Sequence, residues 1–319
     1  MAEYKGIKGF KTQSLAADPT LVEGQLWYNT TTDALKFGAN VGAWSAGNDM
    51  NIGKMESFGT GPATAAMACN GTPTGADGAE IYKTEEYNGT SWSEEADTDQ
   101  RRQDGASSGI QTSALVSAGY TTSPRGNSPW VESYNGTVWA EETTIGTTAQ
   151  GRRGFGLTET TAMVGSAAPT ADTETWNGTS WTQLNDQNSS RNGQGTFGTS
   201  AAGISAAGTP TGGEDEVESW NGTSWTIVNS VNTARSYLAA AGIQTNGLIY
   251  GGNTPPSVAN TEAFDGTSWT EVADLGTATY YGSGGGTGAA AIMAGGTPAG
   301  LATTQDWALA VTAKTVTVS

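Results

Sequence analysis

Histidine is absent from this 319-residue chain. Without an imidazole there can be no Ser-His-Asp triad and no His-ligated zinc or copper centre. Cysteine occurs once, at Cys69, so no intrachain disulfide can form, and the setting Ala66-Met67-Ala68-Cys69 reads as buried strand. No stretch of about 18 apolar residues occurs, which leaves no candidate for a helical membrane span. The start, Met1-Ala2-Glu3-Tyr4-Lys5-Gly6, lacks the apolar core of a secretory signal, so no signal peptide is expected. Positive charge is scarce: 14 basic residues face 31 acidic ones, a formal charge of −17. With no basic patch to offset that field, nucleic acid is excluded as a partner.

What the chain does contain is glycine, 46 residues of it, together with abundant Thr, Ser, Trp and Tyr. That bias suits strands and tight turns and starves long helices, so the expected class is all-β. The length fits a single large all-β domain.

A repeat organises the sequence. The segment Tyr87-Asn88-Gly89-Thr90-Ser91-Trp92 recurs at 134–139, 176–181, 220–225 and, with Asp for Asn, 264–269. Successive Trp residues are 47, 42, 44 and 44 positions apart. A fixed period of about 40 to 50 residues indicates propeller blades. Ten residues after Trp92, Trp181 and Trp225 stand Arg102, Arg191 and Arg235; in the third repeat Arg152 and Arg153 come a few places late. Sixteen residues beyond the basic position, an apolar run ends in a small-residue pair, as at Tyr250-Gly251-Gly252. The same ruler puts Lys54 ten residues after Trp44, which makes Trp44 a sixth member of the series.

The series Trp44, Trp92, Trp139, Trp181, Trp225 and Trp269 therefore predicts six blades of four strands each. Asn-Gly between two aromatic-bearing strands predicts a type I′ hairpin joining strands three and four. The Trp residues are expected to cover the interfaces between neighbouring blades, where burying an aromatic is worth roughly 2 to 3 kcal/mol. The sixth repeat has Trp307 in the aromatic position but lacks its following Trp, which Trp44 would supply from the N-terminus. Closure by residues near 38–48 is thus expected, with a separate strand at 314–319 as an alternative or an addition.

A carboxylate precedes the aromatic by two residues in five repeats: Glu85, Glu132, Glu174, Glu218 and Glu262, with Gln305 in the sixth. Because Lys54, Arg102, Arg191 and Arg235 recur in the same frame, these are expected to form structural ion pairs. No catalytic residue, resident metal or cofactor is assigned; calcium held by oxygen ligands in acidic loops is the cofactor alternative. The acidic clusters Glu94-Glu95 and Glu214-Asp215-Glu216 are candidates for the paired carboxylates of a glycosidase, though such clusters are expected to be solvated loop charge.

The period, the Gly pair, the basic residue and the aromatic-to-Trp spacing resemble kelch repeats over residues 38–319. The spacing departs from the common kelch pattern, five residues here against about six. The lack of histidine separates the chain from copper-radical oxidases of that fold, and Asn-Gly-Thr-Ser-Trp lacks the Ser-x-Asp start of a sialidase Asp box. Residues 1–37 form a leader whose 1–11 and 23–37 segments resemble parts of predicted structural (fibre or decoration) proteins of marine tailed bacteriophages. Within it, Leu26-Trp27-Tyr28-Asn29 and Leu35-Lys36-Phe37 read as two short strands around a Thr-rich turn.

The resemblance implies a non-enzymatic virion structural protein. It would be present as a homo-oligomer or in many copies, docked to other virion proteins through the leader, and would present the propeller for host-surface attachment or particle assembly, with a host-surface glycan as its target. The alternatives are a lectin-like propeller outside any virion and a divergent glycan hydrolase. The irregular loops at 72–79, 120–129, 209–216 and 253–260 are expected on one face and are the candidate contact surface.

Overall fold

The computed structural model describes residues 12–73, 81–122, 124–210, 215–298 and 302–316. All regular structure among them is β, and the arrangement is propeller-like. Two compact units are present, Trp44–Trp307 and a second made of Met1–Ala43 with Ala308–Ser319.

In the first unit, four-stranded sheets of one topology follow each other along the chain, each an antiparallel meander. The first sheet contains Phe58–Thr60, Met67–Cys69, Thr84–Tyr87 and Trp92–Glu94, and the next four sheets repeat that order. Strand identity follows the sequence landmarks. The short inner strands are Gly-, Ala- and Ser-rich, such as Ser283–Gly286, and the second strands carry buried apolar runs, such as Leu248-Ile249-Tyr250 within Asn246–Tyr250. Small side chains are required where inner strands crowd together: a Cβ on Gly284 would lie 2.8 Å from the Ala239 side chain of the preceding sheet.

Each inner strand packs beside the next in chain order. Phe58–Thr60 is beside Ala106–Ile110, then follow Gly154–Gly156, Gly195–Thr199, Ala239–Ile243 and Ser283–Gly286, and the last packs back against Phe58–Thr60. Contacts from the sixth sheet to the first include the Ser57–Ser283 hydroxyl pair at 2.6 Å and the Tyr87 hydroxyl donating to Asp306 at 3.2 Å.

The sixth sheet differs from the others in its fourth strand. Ser283–Gly286 and Ala290–Ala294 are followed by Thr304–Thr315, and the partner beyond it is Ala34–Ala46 from the N-terminal side. Trp44 thus stands beside Trp307, with ring centroids 5.6 Å apart. Lys314 and Thr315 do not form a strand of their own; they are the end of this long third strand, and the Val316 N–H donates to the Leu35 carbonyl at 2.8 Å. Residues 317–319 lie outside the described residues.

The second unit contains the leader hairpin, with Leu26–Asn29 antiparallel to the start of Ala34–Ala46 in the register Leu26↔Phe37 to Asn29↔Ala34. Gln13–Leu15 adds a parallel strand that the sequence reading does not contain. Asp18 organises this unit by accepting from the Trp27 indole, the Asn29 amide and the Lys36 ammonium at 2.8–3.1 Å. The strand Ala34–Ala46 runs from this unit into the first one, the division falling between Ala43 and Trp44.

The Asn-Gly hairpins need a correction. Tyr87 pairs with Trp92, and Asn88 bonds to Ser91, so the central residues are Gly89 and Thr90 rather than Asn88 and Gly89. Only the glycine is left-handed (φ +86°), which matches a turn with Gly at the first central position rather than type I′. Asn88 instead serves as an acceptor: its side-chain oxygen takes the N–H groups of Thr90 and Ser91 at 3.0 and 2.9 Å. Asn135, Asn177, Asn221 and Asp265 do the same in their repeats.

Candidate functional site

The repeated charges lie inside their own sheets. Lys54 meets Glu85 at 3.2 Å, Arg102 meets Glu132 at 2.7 Å and Arg235 meets Glu262 at 2.6 Å, all six side chains being fully or almost fully buried. Arg191 contacts Glu218 and also Glu216, the latter at 2.7 Å. In the third repeat Arg152 reaches Glu174 at 2.6 Å despite its displacement in sequence. Burial pushes the Lys54 ammonium below its ordinary range, while the neighbouring Glu85 charge opposes that shift.

Each of these glutamates also holds the linker that enters its sheet. Glu262 accepts the N–H groups of Asn232 and Thr233 at 2.6 and 3.2 Å, and Glu85 accepts those of Asn51 and Ile52 at 2.7 and 3.2 Å. Linker, arginine and third strand are thereby tied at one buried carboxylate, a charge-assisted arrangement in which every bond has an ionised member. In the sixth sheet Gln305 replaces the glutamate and accepts from Thr277 N–H at 3.2 Å, while Thr279 stands in the basic position.

The Trp residues bridge sheets. Trp92 donates its indole N–H to Thr304, Trp139 to Thr84, Trp225 to Thr173 and Trp44 to Thr261, at 2.9–3.1 Å, in each case reaching the start of the third strand of the preceding sheet or the residue just before it. Trp92, Trp139, Trp225 and Trp269 are buried, whereas Trp44 and Trp181 are partly exposed. Cys69 is fully buried, and its thiol is pushed up to about 12 by that burial, so it stays protonated.

Sequence reasoning missed a second recurring position, twelve residues after every Trp: Glu56, Asp104, Gly151, Gly193, Tyr237 and Tyr281. All six have left-handed backbone, with φ between +52° and +82°. This conformation costs a bulky residue about 1 kcal/mol or more, so something must hold it. Hydrogen bonding between sheets does so. Asp104 N–H donates to Glu56 O, Gly151 to Asp104, Tyr237 to Gly193, Tyr281 to Tyr237, and Glu56 back to Tyr281, at 2.6–3.0 Å. The constant +12 spacing, with Gly at two of the six positions, was the available signal.

This ring immediately precedes the inner strands. A cavity of about 80 Å³ there is lined by Glu56, Asp104, Arg153, Gln194, Tyr237 and Tyr281, among others. Arg153 pairs with Asp104 at 2.8 Å, and the rings of Tyr237 and Tyr281 lie 4.3 Å apart. Glu56 is pushed up to about 7, first by burial and then by the Asp104 charge. A second cavity, of about 270 Å³, is lined by the inner hairpins with Pro62, Ile110, Phe155, Leu157 and Phe197.

Of the irregular loops, 120–129 contains a small hairpin, Tyr120–Thr122 with Arg125–Asn127, whereas 74–80 and 211–214 fall outside the described residues, and Glu214 with them. Glu216 is engaged with Arg191, and Glu94 lies within reach of Lys83 at 3.7 Å. Among the described residues no group of three or more Cys, Asp or Glu side chains converges as a metal site, and no helix is long and apolar enough to cross a membrane.

These features define an all-β, propeller-like repeat protein with a polar cavity beside its inner strands. No protein-family model matches the chain, and no curated protein matches it. Among solved structures it is similar to that of YjhT, at 12% sequence identity and a TM-score of 0.67, over 83% of this chain and 99% of that one. At that identity the likeness concerns the fold.

Proposed function

We propose that the repeats form a closed six-bladed β-propeller, and that the chain is a non-enzymatic structural protein of a tailed-phage virion presenting this propeller for host-surface attachment or particle assembly. Five four-stranded sheets of one topology and a sixth completed by a strand from the N-terminal side, the packing of the last inner strand on the first, and the Gly296 N–H donating to Lys54 O at 3.0 Å support the six-bladed closure.

The observation that carries the functional reading is the fate of the repeated carboxylates. Glu85, Glu132, Glu174, Glu218 and Glu262 are all spent on buried cations and linker N–H groups, so the recurring acids serve the scaffold. A retaining or inverting hydrolase needs two carboxyl groups facing a substrate across an open cleft. A rigid ring with variable loops at one end suits binding instead.

The virion assignment draws on the leader's resemblance to phage structural proteins and on the separate compact unit that the chain ends form. Docking to other virion proteins would use that unit, leaving the propeller for the host surface. The test is incorporation: full-length protein should copurify with particles in many copies, and a variant lacking residues 1–20, which loses Asp18 and the strand Gln13–Leu15 of the leader unit, should keep the unit Trp44–Trp307 folded but be absent from them. Unchanged incorporation of the truncated protein would rule out the leader as the adaptor.

A further inference from the structure

The sixth sheet lacks more than its ion pair. Seven residues after Trp44, Trp181 and Trp225, the linker carries Asn51, Asn188 and Asn232. The carboxamide of each donates to the carbonyl of the Trp in the sheet it enters: Asn51 to Trp92, Asn188 to Trp225 and Asn232 to Trp269, at 3.1–3.4 Å. Asn188 and Asn232 also donate to Glu218 and Glu262 at 2.7 and 2.8 Å. A carboxamide therefore fills the space between linker, third strand and fourth strand.

In the linker entering the sixth sheet this position is Gly276. A cavity of about 200 Å³ lies there, lined by Trp44, Ser45, Asp49, Gly276, Thr303 and Gln305, among others. A Cβ placed on Gly276 would meet only the Gln305 side-chain oxygen, at 3.3 Å. The third repeat also has glycine here, Gly146, but a Cβ on it would lie 2.7 Å from the Glu174 carboxylate, so that site is closed. At Gly276 the fourth strand of the sheet comes from the other end of the chain.

We infer that this seam cavity binds the acetamido group of an N-acetylated amino sugar, the group taking the place that asparagine carboxamides occupy in three other sheets. Its single N–H would donate to the Trp44 carbonyl, the acceptor equivalent to the Trp269 carbonyl that Asn232 uses. The partly exposed Trp44 offers an apolar surface for the methyl group and sugar C–H face, since aromatic side chains combine such a face with a fixed orientation. Ser45, Asp49 and Thr303 supply polar groups for the hydroxyls, so that an apolar wall with a few convergent polar groups sets specificity. The site gives the attachment reading its ligand class and rests on it for biological meaning only, because binding by purified protein is read without reference to any particle.

The experiment titrates the full chain with N-acetylglucosamine and with glucose, followed by protein-observed NMR of the tryptophan indoles and by calorimetry. N-acetylglucosamine should bind and shift the Trp44 indole signal, with glucose at least about tenfold weaker for want of the acetamido donor. Gly276→Asn should refill the site from within, abolish binding, and leave the melting temperature equal or higher. Gly276→Ala, which adds one methyl, should weaken binding and covers the case in which the longer side chain disturbs the linker. No binding of either sugar, equal binding of both, or binding untouched by both variants would overturn the inference. Loss of sugar binding with normal particle incorporation would refute this site and leave the virion assignment standing.

Discussion

At the scale of single residues, the molecule is organised around buried carboxylates that each satisfy a cation and a linker. Removing one member of such a pair leaves an uncompensated buried charge, which is far more damaging than losing a surface ion pair. Glu262→Ala should therefore cost about 3 to 5 kcal/mol, because it orphans Arg235 and the N–H groups of Asn232 and Thr233 together. The double variant Glu262→Gln with Arg235→Thr should cost less than the sum of its parts, since the sixth sheet runs on that combination at Gln305 and Thr279. Urea denaturation of the four proteins measures this, and strict additivity would contradict a coupled pair.

Most of these pairs could be read from the fixed frame of Glu and Arg. Arg152 could not, because it lies three residues beyond the frame position yet its long side chain still reaches Glu174. The ring at Glu56, Asp104, Gly151, Gly193, Tyr237 and Tyr281 was hidden for another reason: what its members share is a backbone conformation, and their side chains have nothing in common.

At the scale of elements, the Trp series joins sheets by indole hydrogen bonds as well as by buried area. Trp225 packs on Trp220 and Phe155 and donates to Thr173, so Trp225→Ala removes a large buried ring and an intersheet bond at once. A loss of about 3 to 5 kcal/mol is expected from the large-to-small change. A tryptophan acting as an exposed sugar platform would instead lower binding with little change in melting temperature, and that result would refute the core role of Trp225. The strand order was legible because apolar runs, aromatics and Gly-rich segments recur in one register. The hairpin type was misread because Asn-Gly is equally at home as the first two residues of a Gly-centred turn, where Asn acts as an acceptor rather than as a left-handed residue. The parallel strand Gln13–Leu15 had no periodic signal over its three residues.

At the scale of the whole molecule, the seam decides whether six similar sheets make one body. The absence of a Trp after Trp307, and the presence of Trp44 in the right frame upstream, made the N-terminal strand legible. The length of Thr304–Thr315 did not follow from the repeat, because its second half lies beyond the repeated region and belongs with the chain ends. An unpaired third strand in the sixth sheet would present a row of free backbone groups, the kind of edge that drives association.

The closed ring proposed here stands or falls on that strand, and deleting residues 1–48 tests it most directly. Size-exclusion chromatography and thermal unfolding of this truncation should show aggregation and loss of the cooperative transition, because the edge of Thr304–Thr315 is uncovered and Trp44 no longer packs on Tyr250 and Trp307. A truncated protein that remains monomeric and melts at the temperature of the full chain would contradict the closure.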